Sequence, residues 1–236
     1  MIETGNLYLI PNLLGSDTVE EVIPQGIKHY IEKVNIIFVE SPKIARKVII
    51  GLGLKSSLDK IELISIKKGF SQELKQMTSD ALISGKHIGI ISDAGLPAIA
   101  DPGNEIVKIA HTLNARVFPL TGPSSIFLGL MASGFNGQNF AFHGYLPKDP
   151  DNRQKKIREL EKLVYSTNQT QIFIETPYRN EYLFKDIISQ CQKNTKICVA
   201  VNLTLPEQWI KVDSVENWRK NEINIRKKQC IFLIYK

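Results

Sequence analysis

Gly89–Gly103 reads GIISDAGLPAIADPG, and this stretch decides the fold. An apolar run, Gly89–Ser92, passes directly into a loop that holds two aspartates, two prolines and two glycines. A short apolar segment bounded by turn formers has the signature of a fully buried strand. Glycine allows positive φ and close approach of the backbone, and proline stiffens what remains. At the carboxyl end of a strand, such a loop offers backbone amides and carbonyls to a ligand. The same composition also suits a rigid connector in which Asp101 caps a helix beginning near Asn104.

Outward from this stretch, short apolar runs alternate with amphipathic segments. Asn6–Ile10, Asn35–Val39, Ile61–Ile64, His87–Ser92 and Arg116–Pro119 read as strands. Between them, Pro24–Lys33, Ile44–Leu52, Gln72–Ser84 and Glu105–Thr112 carry apolar residues at helical spacing. In Gln72–Ser84, Leu74, Met77, Ala81 and Leu82 share one side; Ser71 is placed to cap that helix and Gly85 to end it. Ile- and Val-rich strands alternating with helices predict βαβ units and a parallel sheet, with ligands gathering beyond the carboxyl ends of the strands.

The second half has another rhythm. Phe140–His143, Gln171–Ile174, Ile197–Val201, Gln208–Val212 and Cys230–Ile234 read as strands, and helices fit at Arg153–Leu163 and Glu181–Gln190. Asn202–Glu207 is too short for a crossover helix, so a hairpin and a mixed sheet are expected. The change of pattern around Pro119–Ser125 predicts an α/β protein of two domains: residues 1–120 with a mostly parallel sheet and residues 121–236 with a mixed one.

Composition narrows the function classes. The 236 residues are 43% hydrophobic and 23% charged, which excludes a collagen, a disordered tail and a disulfide scaffold. No apolar run reaches the roughly 18 residues of a membrane span, and the first fifteen residues lack the basic start of a secretory signal. Cys191, Cys198 and Cys230 are odd in number and show no C-x-x-C spacing, which fits a reducing cytoplasm. No histidine pairing has metal-ligand spacing, so no metal is expected. Residues 1–120 hold 13 basic and 13 acidic residues; residues 121–236 hold 17 and 11, so the whole excess of +6 falls there. A positive half suits an anionic partner, RNA included, and also describes a solvated lysine-rich surface. Its one dense cluster is Arg226, Lys227 and Lys228.

Three further segments are candidates for chemistry. In Thr121–Gly129 (TGPSSIFLG), Ser124 and Ser125 open a helix, either as caps or as contacts for an acceptor atom. In Phe173–Arg179 (FIETPYR) a strand delivers Glu175 to a loop with Tyr178 and Arg179, either as a buried Glu–Arg pair or as a cleft carboxylate. Asn202–Gln208 (NLTLPEQ) is a tight connection whose backbone could line the same site. No P-loop, dinucleotide fingerprint, G-x-S-x-G elbow or Cys/His pairing occurs, which leaves a group transfer that depends mainly on positioning.

These segments, in this order, resemble the tetrapyrrole methylase family of S-adenosylmethionine-dependent methyltransferases, and within it the branch of ribosomal RNA small subunit methyltransferases. The branch signature S-D-A-G-x-P-x-I-x-D-P-G is matched by Ser92–Gly103, with Leu96 where Thr is usual; G-P-S-S is matched by Gly122–Ser125, S-G-x(5)-F-x-F-x-G-x-L-P by Ser133–Pro147, and E-[ST]-P-x-R by Glu175–Arg179. The similarity runs from Gly5 to about Trp218. It implies two α/β domains with S-adenosyl-L-methionine in the cleft between them, no metal, and usually a homodimer. It implies cofactor contacts from Pro11, Asp93, Ala94, Gly95, Ile99, Ser124, Ser125, Asn202, Leu203 and Thr204, with the loop from Pro11 bordering the acceptor pocket. Departures fall on the acceptor side: Pro11–Asp17 (PNLLGSD) replaces T-P-I-G-N-L-x-D, Glu40–Lys43 (ESPK) replaces E-D-T-R, and Asn202–Leu205 (NLTL) replaces E-L-T-K. The sequence also ends without the basic carboxy-terminal segment of longer members.

The expected activity is methyl transfer, with a ribose 2′-hydroxyl of small-subunit ribosomal RNA as acceptor and Asp101 and Glu175 as the candidates for removing its proton. A tetrapyrrole carbon or another small molecule is the alternative acceptor, and a non-catalytic RNA-binding relative is a third reading.

Overall fold

The strands Leu7–Ile10 (β1), Ile36–Val39 (β2), Glu62–Ser65 (β3), Ile88–Ile91 (β4) and Val117–Pro119 (β5) form a five-stranded sheet in the order β3-β2-β4-β1-β5, with every pairing parallel. The three inner strands are almost wholly buried and the two outer ones half-exposed. That gradient explains why LYLI, IIFV and IGII are unbroken apolar runs: an inner strand of a parallel sheet is covered on both faces. Pro119, which lacks an N–H, falls on an edge strand, where no ladder bond is lost. The structure is a computed structural model that describes residues 4–15, 19–67 and 69–236. Ser16 and Asp17 of the Pro11–Asp17 segment lie outside the described residues.

The helices of this half are Val19–Val22 (α1), Lys28–Ile31 (α2), Pro42–Gly51 (α3), Gln72–Ile83 (α4) and Asn104–Thr112 (α5). Two separate cores sit on the two faces of the sheet, one around Ile37, Val39 and Ile49, the other around Phe38, Leu82, Ile90 and Ile106. The Ser71 hydroxyl accepts from the Leu74 amide at the start of α4, and Gly85 follows its end at φ +81°. Pro24–Lys33 is not one helix but a 3₁₀ turn, Gln25–Ile27, followed by α2. Asp101 does not cap α5: the capping position is Gly103, at φ +134°, without a side-chain bond.

The strands Phe140–Tyr145 (β6), Thr170–Ile174 (β7), Lys196–Val201 (β8), Trp209–Ser214 (β9) and Cys230–Tyr235 (β10) form the second sheet, ordered β6-β7-β10-β8-β9. β6 and β7 are parallel, while β10 runs antiparallel to both β7 and β8, and β8–β9 is the expected hairpin. Its helices are Ser125–Ser133 (α6), Pro150–Thr167 (α7), Asn180–Gln190 (α8) and Val215–Trp218 (α9). α7 extends beyond Arg153–Leu163 at both ends, because Asp149 caps it from outside, Pro150 suits its first turn and Asn168 ends it in the left-handed region. The single turn α9 is too short to show a period, but it buries Trp218 fully, with the indole N–H donating to the Ile197 carbonyl at 3.0 Å. The chain divides into two compact units, residues 1–124 and 125–236. Among the described residues no helix is long and apolar enough to cross a membrane.

Candidate functional site

In the first unit, β2, β4 and β1 are neighbours and parallel, so the loops that follow them leave from one edge. Asn12, buried beside Pro11, fastens two of these loops together. Its side-chain amide donates to the carbonyls of Ser92 (2.8 Å) and Asp93 (3.0 Å), and its side-chain oxygen accepts from the Leu13 amide. The backbone completes the clasp: Asn12 N–H donates to Gly95 O at 2.8 Å, and Gly95 N–H to Leu13 O at 3.2 Å. Both backbone polar groups of Gly95 are thus engaged within the protein. They hold the Pro11 loop, and the φ of +66° at Gly95 makes the arrangement possible. Gly122 has a similar structural reason, since a Cβ there would lie 2.1 Å from the Cβ of Pro11.

Beyond Gly95 the loop is strained. Ala98 and Ala100 have φ of +63° and +62°, a region that residues with a Cβ rarely enter. Two such residues persist together only where the surroundings over-determine them, which is common at functional sites. Ile99 lies between them and lines a cavity of about 490 Å³ with Leu9, Leu96, Pro97, Val107 and Leu120. Asp101 follows, half-buried, with its pKa raised from 3.8 to about 6. Burial is the largest cause, then the charges of Glu40 and Asp93, opposed by a hydrogen bond from the Ser92 side chain. Glu40 is anchored by the Asp93 amide, which donates to it at 3.0 Å. Asp93 itself is exposed and Ala94 half-buried. Ser124 is buried, and neither its hydroxyl nor that of Ser125 caps α6 or forms a hydrogen bond among the described residues.

In the second unit, the ends of β7 and β8 flank the start of β10. Glu175 follows β7 and is 5% exposed. One carboxylate oxygen accepts from the Thr176 amide at 2.6 Å and from both Nε and Nη2 of Arg179 at 3.0 and 2.5 Å, so the Glu–Arg pair is formed. The other, Oε2, is buried without a partner among the described residues. In the turn after β8, Asn202 and Thr204 are left-handed at φ +50° and +73°, Leu203 is buried, and the Thr204 hydroxyl is likewise buried without a partner. Asn180 Oδ1 is a third buried atom without a partner among the described residues; buried acceptors and hydroxyls are ordinarily satisfied, which makes these atoms candidate ligand contacts.

Arg226–Lys228 lies outside the candidate cofactor segments in sequence, but hydrogen bonds join its turn to two of them. The Lys227 amide donates to Pro177 O at 2.9 Å, Asn180 Nδ2 to Lys228 O at 2.6 Å, and Asn202 N–H to Gln229 O at 2.8 Å. The antiparallel course of β10 brings its leading turn between the Glu175 and Asn202 loops. Asn12 and Glu40 were also passed over as mere departures. The signal for Asn12 is a single polar residue inside the apolar run Leu7–Leu14; for Glu40 it is an acid directly after the buried strand IIFV.

The chain was compared with known proteins. The ribosomal RNA small subunit methyltransferase I of Bacillus subtilis is 30% identical over 235 residues, covering 97% of this chain and 75% of the relative. The chain belongs to the ribosomal RNA small subunit methyltransferase I family. Its counterpart in Buchnera aphidicola of Schizaphis graminum is 28% identical, over 98% of this chain and 78% of that one. No family model matches. Among solved structures, the methyltransferase CobJ superposes with a TM-score of 0.65 at 14% identity, covering 99% of this chain and 95% of that one. A uroporphyrin-III C-methyl transferase from Thermus thermophilus, in complex with S-adenyl homocysteine, gives 0.59 at 13% identity and covers 98% of each chain. These likenesses establish the fold, a two-sheet α/β architecture shared with methyltransferases of tetrapyrrole chemistry.

Proposed function

We propose that this member of the ribosomal RNA small subunit methyltransferase I family transfers a methyl group from S-adenosylmethionine to a ribose 2′-hydroxyl of small-subunit ribosomal RNA, with Asp101 as the proton acceptor. The observation that carries the assignment to Asp101 is its environment. It is a half-buried carboxylate at the ligand-side edge of a parallel sheet, with Glu40 and Asp93 nearby raising its proton affinity. A carboxylate of pKa about 6 is still ionised at neutral pH, yet binds a proton more strongly than an ordinary one. Glu175, by contrast, already accepts three N–H groups on one oxygen and is paired with Arg179. Its orphaned Oε2 suits a ligand donor instead.

The unsatisfied atoms of the second unit fit S-adenosylmethionine, which carries hydroxyl and ammonium donors for Glu175 Oε2 and acceptors for the Thr204 hydroxyl. When bound, it would supply a sulfonium methyl already activated for in-line displacement. What remains for the chain's own residues is orientation, exclusion of water and removal of one proton. The strained segment Ala98–Ala100 holds Asp101 in place for the last of these.

The test is incubation of the protein with methyl-tritiated S-adenosylmethionine and unmodified small ribosomal subunits in chelator, beside a porphyrinogen acceptor. Label in the RNA supports the proposal. Label in the porphyrinogen alone would replace the acceptor with a tetrapyrrole carbon.

A further inference from the structure

Arg226 and Lys227 are exposed and form no ion pair among the described residues, although the second unit contains several acids. They are not on a loose end. Ile225, fully buried, anchors the turn from one side, and β10 continues from it on the other. Lys227 is held at φ +59°, a strained geometry for a lysine, by the hydrogen bond its N–H donates to Pro177 O, while Asn180 holds the Lys228 carbonyl and Asn202 the Gln229 carbonyl. The turn is thus fixed against the loop that carries Tyr178, the residue after Pro177. Tyr178 is 72% exposed, and its ring enters no aromatic contact among the described residues.

An exposed aromatic ring on a loop hydrogen-bonded to a turn with two unpaired cations is a combination that holds single-stranded nucleic acid. The ring stacks on a base and the cations meet the phosphates on either side. A solvated basic surface needs neither the strained backbone nor the aromatic. We infer that Tyr178, Arg226 and Lys227 form a clamp for single-stranded RNA, with Tyr178 as the stacking platform and the two cations as phosphate contacts. The clamp rests on the ribosomal RNA reading for its biological partner. Its position, bonded to the Glu175 and Asn202 loops, would bring the acceptor strand to the residues assigned to the cofactor.

The test measures binding directly, so that it does not depend on methyl transfer. Fluorescence anisotropy with fluorescein-labelled single-stranded RNA is recorded across a salt series for the wild type, Tyr178→Ala, Tyr178→Phe and the double variant Arg226→Gln/Lys227→Gln. S-adenosylhomocysteine binding and thermal melting serve as controls for folding. Loss of stacking in Tyr178→Ala should weaken binding about tenfold, and Tyr178→Phe should restore it. The double variant should flatten the log–log salt slope by about 1.4, from about 0.7 for each phosphate contact on a single strand. The inference is overturned if the wild type binds no RNA, or if folded variants keep wild-type affinity and slope. A wild type that methylates ribosomal RNA beside unaffected variants removes the clamp and leaves the proposed function standing. Variants that lose binding when no RNA is methylated support the clamp and remove the proposed acceptor chemistry.

Discussion

In the parallel sheet, Pro11, Glu40 and Ser92 follow three neighbouring strands that all end on one edge; in the mixed sheet, the edge that carries Glu175 and Asn202 also carries the start of β10. The first arrangement gathers loops that all come after strands, and Asn12 and Glu40 then fasten them with side-chain bonds. The second inserts a basic turn that precedes a strand between two loops that follow one, and fastens it through two backbone bonds and the side chains of Asn180 and Asn202. The two edges also differ in what they leave open. The parallel edge keeps a carboxylate of raised pKa, suited to receiving a proton. The mixed edge keeps a paired carboxylate with one orphaned oxygen and an orphaned hydroxyl, suited to binding.

Substitution at the two edges should break this division unequally. Asp101→Asn should lower methyl transfer by about 10²–10⁴-fold, the usual contribution of general base catalysis, with S-adenosylhomocysteine affinity preserved in calorimetry. The same variant should melt at a higher temperature. Because the folded pKa lies above the unfolded value of 3.8, ionising Asp101 disfavours the fold as pH rises from about 4 to 6. The amide removes that penalty, by about 1 kcal/mol at neutral pH after discounting for solvent screening. In the wild type, single-turnover methyl transfer should climb about tenfold per pH unit below a half-maximum near pH 6, following deprotonation of Asp101. A flat profile over that range would place the base elsewhere.

Smaller effects sharpen the contrast. Asn12→Ala leaves two loop carbonyls and the Leu13 amide without their partner, and denaturant titration should show a loss of about 2 kcal/mol. Thr204→Val removes a buried hydroxyl that has no partner, so the unliganded protein should be unchanged or more stable by up to about 1 kcal/mol. S-adenosylhomocysteine should nevertheless bind about tenfold more weakly, a difference of about 1.4 kcal/mol. Equal affinity in the two proteins would remove the turn after β8 from the ligand site.

The same contrast explains what could be read from the sequence. In a parallel sheet strand length, buried runs and loop composition all speak locally, so β1, β2 and β4 and the loop through Asp101 are legible in the sequence. The clasp made by Asn12 is not, because it depends on β1 and β4 being neighbours in the order 3-2-4-1-5. The placement of Arg226–Lys228 is less legible still. Nothing local in Ile225–Gln229 states that β10 inserts between β7 and β8, and that pairing alone carries the turn to Pro177 and Asn202. Pro24–Lys33 marks the opposite failure, where helical spacing was present but the chain divides into a 3₁₀ turn and a single α-helical turn.

In the proposed reaction Asp101 takes the proton from a ribose hydroxyl. The most direct measurement is alkaline hydrolysis of small-subunit ribosomal RNA labelled by the wild type and by Asp101→Asn with methyl-tritiated S-adenosylmethionine. A methylated 2′-oxygen cannot attack the adjacent phosphate, so the account predicts wild-type label in an alkali-resistant dinucleotide and almost none from the variant. Label released as ordinary mononucleotides would place the methyl group on a base, and undiminished label from Asp101→Asn would remove Asp101 from the chemistry.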